Sequence, residues 1–247
     1  MSNTLIIDPR FRGPSDSANG GYACGVVANL VGAPAEVTLR RPPPLGALLV
    51  VERRPDGGVA LRAGETVVAE GKASAPDISP PPPPTFAEAE LASRRYLGFQ
   101  GHPFPECFVC GPERVAGDGL RIFPGALGDL HVAAAPFVPG ASLCDEKGLL
   151  RPEVVWASLD CPSYFGALAN RSGTVMALLG RLTAKVVAPT RAGERCIALG
   201  WFIGEEGRKL YGGSALYSED GELRGIARAT WIKLTFEGAT NREEVRS

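Results

Sequence analysis

Histidine is the scarcest source of chemistry in this sequence: 247 residues contain only two, His102 and His131. Neither accompanies a Gly-x-Ser-x-Gly elbow, which is absent from the chain, so a Ser-His-Asp hydrolase is disfavoured. There is no Walker loop and no Gly-x-Gly-x-x-Gly, which counts against phosphate-cradling and dinucleotide-binding folds. No apolar run approaches the roughly 20 residues of a membrane span, and Leu45 to Val51 is the longest clean one. Neither sign of charge dominates. The formal net charge is -1, so no nucleic-acid or anionic-membrane partner is expected. Met1 to Arg10 has no basic segment leading into an apolar one, which makes the cytoplasm the expected compartment. Six cysteines in a chain of this length do not form a disulfide framework, and a reducing compartment keeps them as thiols.

Proline, by contrast, is plentiful and divides the chain. Ser79 to Pro84 contains five consecutive prolines, which cannot build a helix or an interior strand and run as an extended spacer. Phe86 to Leu97, rich in helix formers, predicts a short helix after it. The expected organisation is a first unit over residues 1–84, a linker with a short helix over 85–105, and a second unit over 106–247.

The two units read alike. Gly20 to Val31 is small and apolar all round, as a helix buried on most sides should be. Strand-like runs follow at Val37 to Arg41, Ala47 to Arg54, Val59 to Ala63 and Thr66 to Ala75, with Pro55-Asp56-Gly57-Gly58 as a hairpin turn. In the second unit Pro152 to Ala169 is again a largely apolar helix, with Pro152 suited to its first turn. Strands are expected at Gly180 to Val187, Arg195 to Glu205, Lys209 to Ser218 and Leu223 to Phe236. Thr38 stands six residues before Pro44, and Thr183 six before Pro189. Gly71-Lys72-Ala73-Ser74 echoes Ala227-Arg228-Ala229-Thr230. One helix followed by an antiparallel meander, occurring twice, is an α+β pattern rather than βαβ.

These residues resemble the hotdog superfamily, and in arrangement the acyl-CoA thioesterase II group, whose chains carry two hotdog units. Gly20-Gly21 and Gly25 fit the opening of that group's first helix. Asp160 matches its mid-helix aspartate, and Thr183 its Ser or Thr six residues before a proline. The resemblance implies a double hotdog, each unit a long helix wrapped by an antiparallel sheet, and hydrolysis of an acyl-CoA or another acyl thioester without a cofactor. It also implies association into a homodimer or larger homo-oligomer. One position departs: the group's glutamine on the last strand falls at Ala229, with Thr230 or Asn19 as substitutes. Cys107-Phe108-Val109-Cys110-Gly111-Pro112 looks like a leader found before some hotdog units.

Asp160 is the sharpest candidate. A carboxylate in an apolar helix costs several kcal/mol unless it is paired or functional, and burial pushes it toward general-base use. Its bland alternative is a bond to free backbone N–H groups at the turn before Pro162. The expected mechanism has Asp160 activate a water held by Thr183, with Asn19 orienting the carbonyl. N–H groups near Gly20 and Gly21 would receive the oxyanion. Asn19 or Asp16 is otherwise simply a helix cap. Gly20, Gly21, Tyr22 and Trp156 are the substrate-contact candidates, although a core role is the default for the aromatics. Arg40-Arg41, Arg53-Arg54 and Arg94-Arg95 either meet coenzyme A phosphates or form a solvated edge. Cys107 and Cys110 supply half a zinc site; closure would require Cys144, Cys161 or His102, and without a second spaced pair no metal is expected. Two further functions stay open: a non-catalytic acyl-thioester binding protein, motivated by Ala229, and a hydratase or dehydratase of the same fold, disfavoured by the lack of a histidine near Asp160.

Overall fold

The computed structural model describes residues 3–32, 34–128, 131–171 and 175–234. The first unit contains β1 (Thr4–Ile6), α1 (Gly20–Val31), β2 (Ala35–Leu39), β3 (Leu48–Arg53), β4 (Val59–Ala63) and β5 (Thr66–Ala73). Next come α2 (Phe86–Ser93), β6 (Gly125–Ala126), β7 (Val132–Phe137) and α3 (Pro152–Leu168). The chain continues through β8 (Ala177–Val186), β9 (Cys196–Glu206), β10 (Lys209–Ser218) and β11 (Leu223–Lys233). Residues 235 and 236, the end of the last expected strand, lie outside the described residues.

All these strands join one antiparallel sheet in the order β1-β3-β4-β5-β2-β8-β11-β10-β9-β7-β6. Apart from β6, that order is a palindrome. β2 and β8, each the first strand after a long helix, pair at the centre, and their successors flank them symmetrically. The central seam pairs Ala35 with Ala184 and Thr38 with Arg181, and Arg181 Nε donates to Thr38 Oγ1 at 2.9 Å. This is a double hotdog of the α+β class, as the repeat of helix and meander predicts.

Local chemistry sets the two long helices. Asn19 caps α1, its Oδ1 accepting from the Tyr22 N–H at 2.9 Å, and Gly32 ends it at φ 77°, a left-handed value glycine adopts freely. Pro152 opens α3 at a position where its missing N–H costs nothing. Inside α3, Ser158 and Ser163 donate to the carbonyls of Val155 and Asp160, and Ser214 reaches over from β10 to the carbonyl of Leu159. Those bonds hold the helix around Pro162, which has no N–H of its own to donate. The helices pack on each other and on one face of the sheet. α2 covers the other face, where Phe86, Ala89 and Ala92 join Ala134, Ile197, Leu199, Ala215 and Tyr217. The proline spacer passes along that side, its Pro81 carbonyl accepting from the Tyr217 hydroxyl at 2.9 Å. Among the described residues no helix is long and apolar enough to cross a membrane.

Candidate functional site

The two apolar helices meet where α1 begins and α3 reaches mid-length. Gly21 makes this contact: a Cβ there would lie 2.5 Å from Asp160 Cβ and 2.8 Å from the Trp156 carbonyl. Gly21→Ala is therefore expected to push α1 off α3 and to cost about 1–3 kcal/mol, read as a lowered denaturant midpoint.

Asp160 is 2% exposed. Its Oδ2 accepts from Asn19 Nδ2 at 2.7 Å and from the Gly21 N–H at 2.9 Å. Its Oδ1 has no hydrogen-bond partner among the described residues. Burial pushes the carboxyl up to about 7, against the opposing pull of the Gly21 N–H and the Asn19 amide. The expected alternative for Asp160, a bond within its own turn, is replaced by something different. The carboxylate reaches across to the N-terminus of the other helix, where unpaired N–H groups favour an anion. Asn19 serves both helices, capping α1 through Oδ1 and holding Asp160 through Nδ2.

Not every expected site residue arrives here. Thr183 lies on β8 with its Oγ1 at 3.5 Å from Glu36 Oε2, and among the described residues it shares no hydrogen bond with Asp160. Glu36 is itself engaged by Lys72 and Arg181. Gly20 does arrive, beside Gly21 at the start of α1, with its Cβ direction closed by Leu179. Tyr22 stacks on Phe11 with ring centroids 3.9 Å apart and meets Phe108 edge-on, as a core aromatic does. Trp156 is buried beside Gly25. Ala229 faces inward on β11, fully buried, so Thr230 faces the opposite side and Asn19 is the substitute that touches the carboxylate. Arg40 and Arg54 both pair with Glu70. Two surface hollows lie elsewhere, one of ≈ 560 Å³ around Arg191, Glu194 and Arg224, the other of ≈ 240 Å³ around Leu120, Phe137 and Leu143.

Of the three residues named to close the Cys107–Cys110 pair, Cys161 and His102 come to it and Cys144 does not. Cys107 and Cys110 of the leader meet Cys161 of α3, the residue after Asp160, and the three sulfurs lie within 4.8 Å of one another. Cys107 Sγ is 3.9 Å from Cys161 Sγ and 3.9 Å from Asn19 Nδ2. His102 Nε2 lies 3.2 Å from Cys110 Sγ, while its Nδ1 accepts the Phe104 N–H at 2.8 Å. Cys144 stays apart, against the Gly140 carbonyl. The Cys110 and Cys161 thiols, with the backbone N–H groups of Cys110 and Val109, pull the Cys107 thiol well below its usual value. Burial pushes Cys110 up.

No protein-family model and no curated protein matches this sequence. Solved structures do. A proposed thioesterase from Novosphingobium aromaticivorans superposes with a TM-score of 0.59 at 12% identity, over 94% of this chain and 95% of that one. The tesB protein of Mycobacterium avium subsp. paratuberculosis gives 0.62 at 12% identity, over 94% and 92%. A conserved protein of unknown function with a hot dog fold from Alicyclobacillus acidocaldarius gives 0.59 at 10%, over 94% and 92%. At such identities the likeness concerns architecture, and it spans nearly the whole chain: the protein has the fold of the double hotdog proteins, thioesterases among them.

Proposed function

We propose that the protein hydrolyses an acyl thioester, with Asp160 as the base that activates water. One observation carries this reading: a buried carboxylate with one oxygen fixed by two donors and the other unpartnered, at the crossing of the two hotdog helices. In the proposed step Oδ1 takes a proton from water as the water oxygen attacks the thioester carbonyl; the C–S bond then breaks and the departing thiolate takes that proton from Asp160. Asn19 and the Gly21 N–H hold the carboxylate in place. Because the Gly21 N–H is spent on Asp160, the Gly20 N–H is the one we assign to the oxyanion. Asn19→Ala is expected to lower kcat with little change in KM, because it loosens the base rather than the substrate. The acyl thioester, coenzyme A-linked or otherwise, is the only ligand this reading requires, and a homodimer or larger homo-oligomer is the assembly we expect light scattering to show.

A second reading, an acyl-thioester binder without turnover, is favoured by two observations. Asp160 is 2% exposed, and Ala229 carries no polar group where the resemblance places a glutamine. Hydrolysis therefore requires a covering side chain to move. Thiol release from short, medium and long acyl-CoAs, together with calorimetric binding of the same compounds, separates the two. Turnover supports hydrolysis; binding without thiol release on any chain length selects the binder and makes Asp160 an internal clamp.

A further inference from the structure

We propose that Cys107, Cys110 and Cys161 form a binding site for one soft divalent metal ion, zinc by the chemistry of its donors. The site is independent of the hydrolase reading. Sequence alone left the closing residue open among Cys144, Cys161 and His102; the third sulfur comes from a residue 54 positions beyond Cys107.

The spacing fits. Zinc–thiolate bonds of about 2.3 Å in a tetrahedron separate the sulfurs by roughly 3.8 Å. Cys107 and Cys161 already stand 3.9 Å apart, and the third sulfur lies within 4.8 Å of both. All three cysteines are buried.

The leader is also shaped to present thiolates. Gly111 follows Cys110 where a Cβ would lie 2.5 Å from the backbone N of Cys107 and the carbonyl of Pro105, and its N–H returns to the Cys107 carbonyl at 2.9 Å. That tight turn keeps Cys107 and Cys110 on one short loop, their sulfurs within 4.8 Å of each other. His102 supplies a hydrogen-bond donor, which stabilises a negative sulfur more than a neutral thiol. Because its Nδ1 accepts from Phe104, the neutral ring carries its proton on Nε2, facing the Cys110 sulfur. His102 also stands outside the 4.8 Å set. We therefore assign it as a hydrogen-bond donor to the Cys110 thiolate, and the fourth position of a tetrahedral ion falls to a non-protein ligand. A disulfide would join only two of the three sulfurs and leave the last buried beside it. Three converging sulfurs suit an ion.

The consequence is mechanical. Cys107 and Cys110 belong to the leader and Cys161 to α3, so the ion ties the leader to the helix one residue from Asp160. Loading releases thiol protons to solvent and links stability to metal supply.

The test uses the full chain purified under reducing conditions. Elemental analysis is expected to find close to one zinc per chain. The chelator-treated protein, given cobalt(II) alone, is expected to show a thiolate charge-transfer band in the near ultraviolet and tetrahedral ligand-field bands in the red. Zinc should displace both and raise Tm. Cys161→Ser is expected to weaken zinc binding at least 10-fold, whereas His102→Ala keeps the cobalt bands. Should the serine variant not fold, protection of three thiols from alkylation by zinc in the wild type reports the same ligand set. Reduced, folded wild type that takes up neither zinc nor cobalt overturns the proposal. So does a Cys107–Cys161 disulfide in peptide mapping of metal-free protein purified without reductant, if the re-reduced protein still binds no ion.

Discussion

Asp160→Asn is expected to leave the protein folded while thioester turnover falls by about 10²–10⁴-fold, the contribution of a positioned general base. The substitution keeps the shape of the side chain. Its remaining oxygen accepts from Asn19 and the Gly21 N–H as Oδ2 does now, and its amide occupies the space of Oδ1, which has no partner to lose. What disappears is the capacity to accept a proton from water. Asp160→Ala is a different experiment. It strands the Gly21 N–H and the Asn19 amide in a buried place and is expected to cost about 1–3 kcal/mol of stability as well as activity. Comparing the two by kcat and by denaturant midpoint separates chemistry from clamping. Full activity in a folded Asp160→Asn protein removes Asp160 from the mechanism.

The largest stability effect is expected at Gly200→Ala. α3 rests on β9 and β10 with almost no spacing: a Cβ on Gly200 would lie 1.7 Å from the Pro162 carbonyl oxygen. Neighbouring Gly212 meets the Ser163 carbonyl in the same way, at 2.1 Å. The obstacle in each case is backbone rather than the end of a flexible side chain, so it cannot step aside. Either the helix lifts off the sheet, breaking the Ser214-to-Leu159 and Trp231-to-Ser163 bonds, or the strand bends. We expect a loss of at least about 3 kcal/mol, or failure to accumulate as soluble protein. Gly204→Ala, further along the same strand with nothing nearer than 3.9 Å, serves as the control and is expected to be near neutral in thermal melts.

The long elements were legible because their signals are local. The expected α1 coincides with Gly20–Val31, and eight strands of the meanders fall within a few residues of their expected positions. β7 escaped notice because half of Val132–Phe137 is alanine and one residue is proline, a composition that favours a strand only when a neighbour and a helix cover it. β1 and β6 are too short to carry a period. The two repeat markers also disagree. Thr38 opposes Glu70 and Thr183 opposes Arg228, so equating the threonines equates Glu70, not Lys72, with Arg228. At the site, Asp160 stood out as a charge in an apolar helix. Its partners Asn19 and Gly21 lie about 140 residues away, a separation no local pattern spans. Thr183 was chosen by motif position, and its bond to Glu36 depends on the β2–β8 pairing.

That palindromic strand order has a genetic consequence. In a dimer of identical copies every substitution appears twice, so each of two equivalent clefts must keep both a proton acceptor and the group that steadies it. Two units in one chain are free of that constraint. Here the second supplies the acid, the first supplies the asparagine and the glycine that grip it, and neither position has to satisfy the opposite duty. Two units in one chain exchange redundancy for a division of labour, and leave no spare copy of the junction where α1 meets α3.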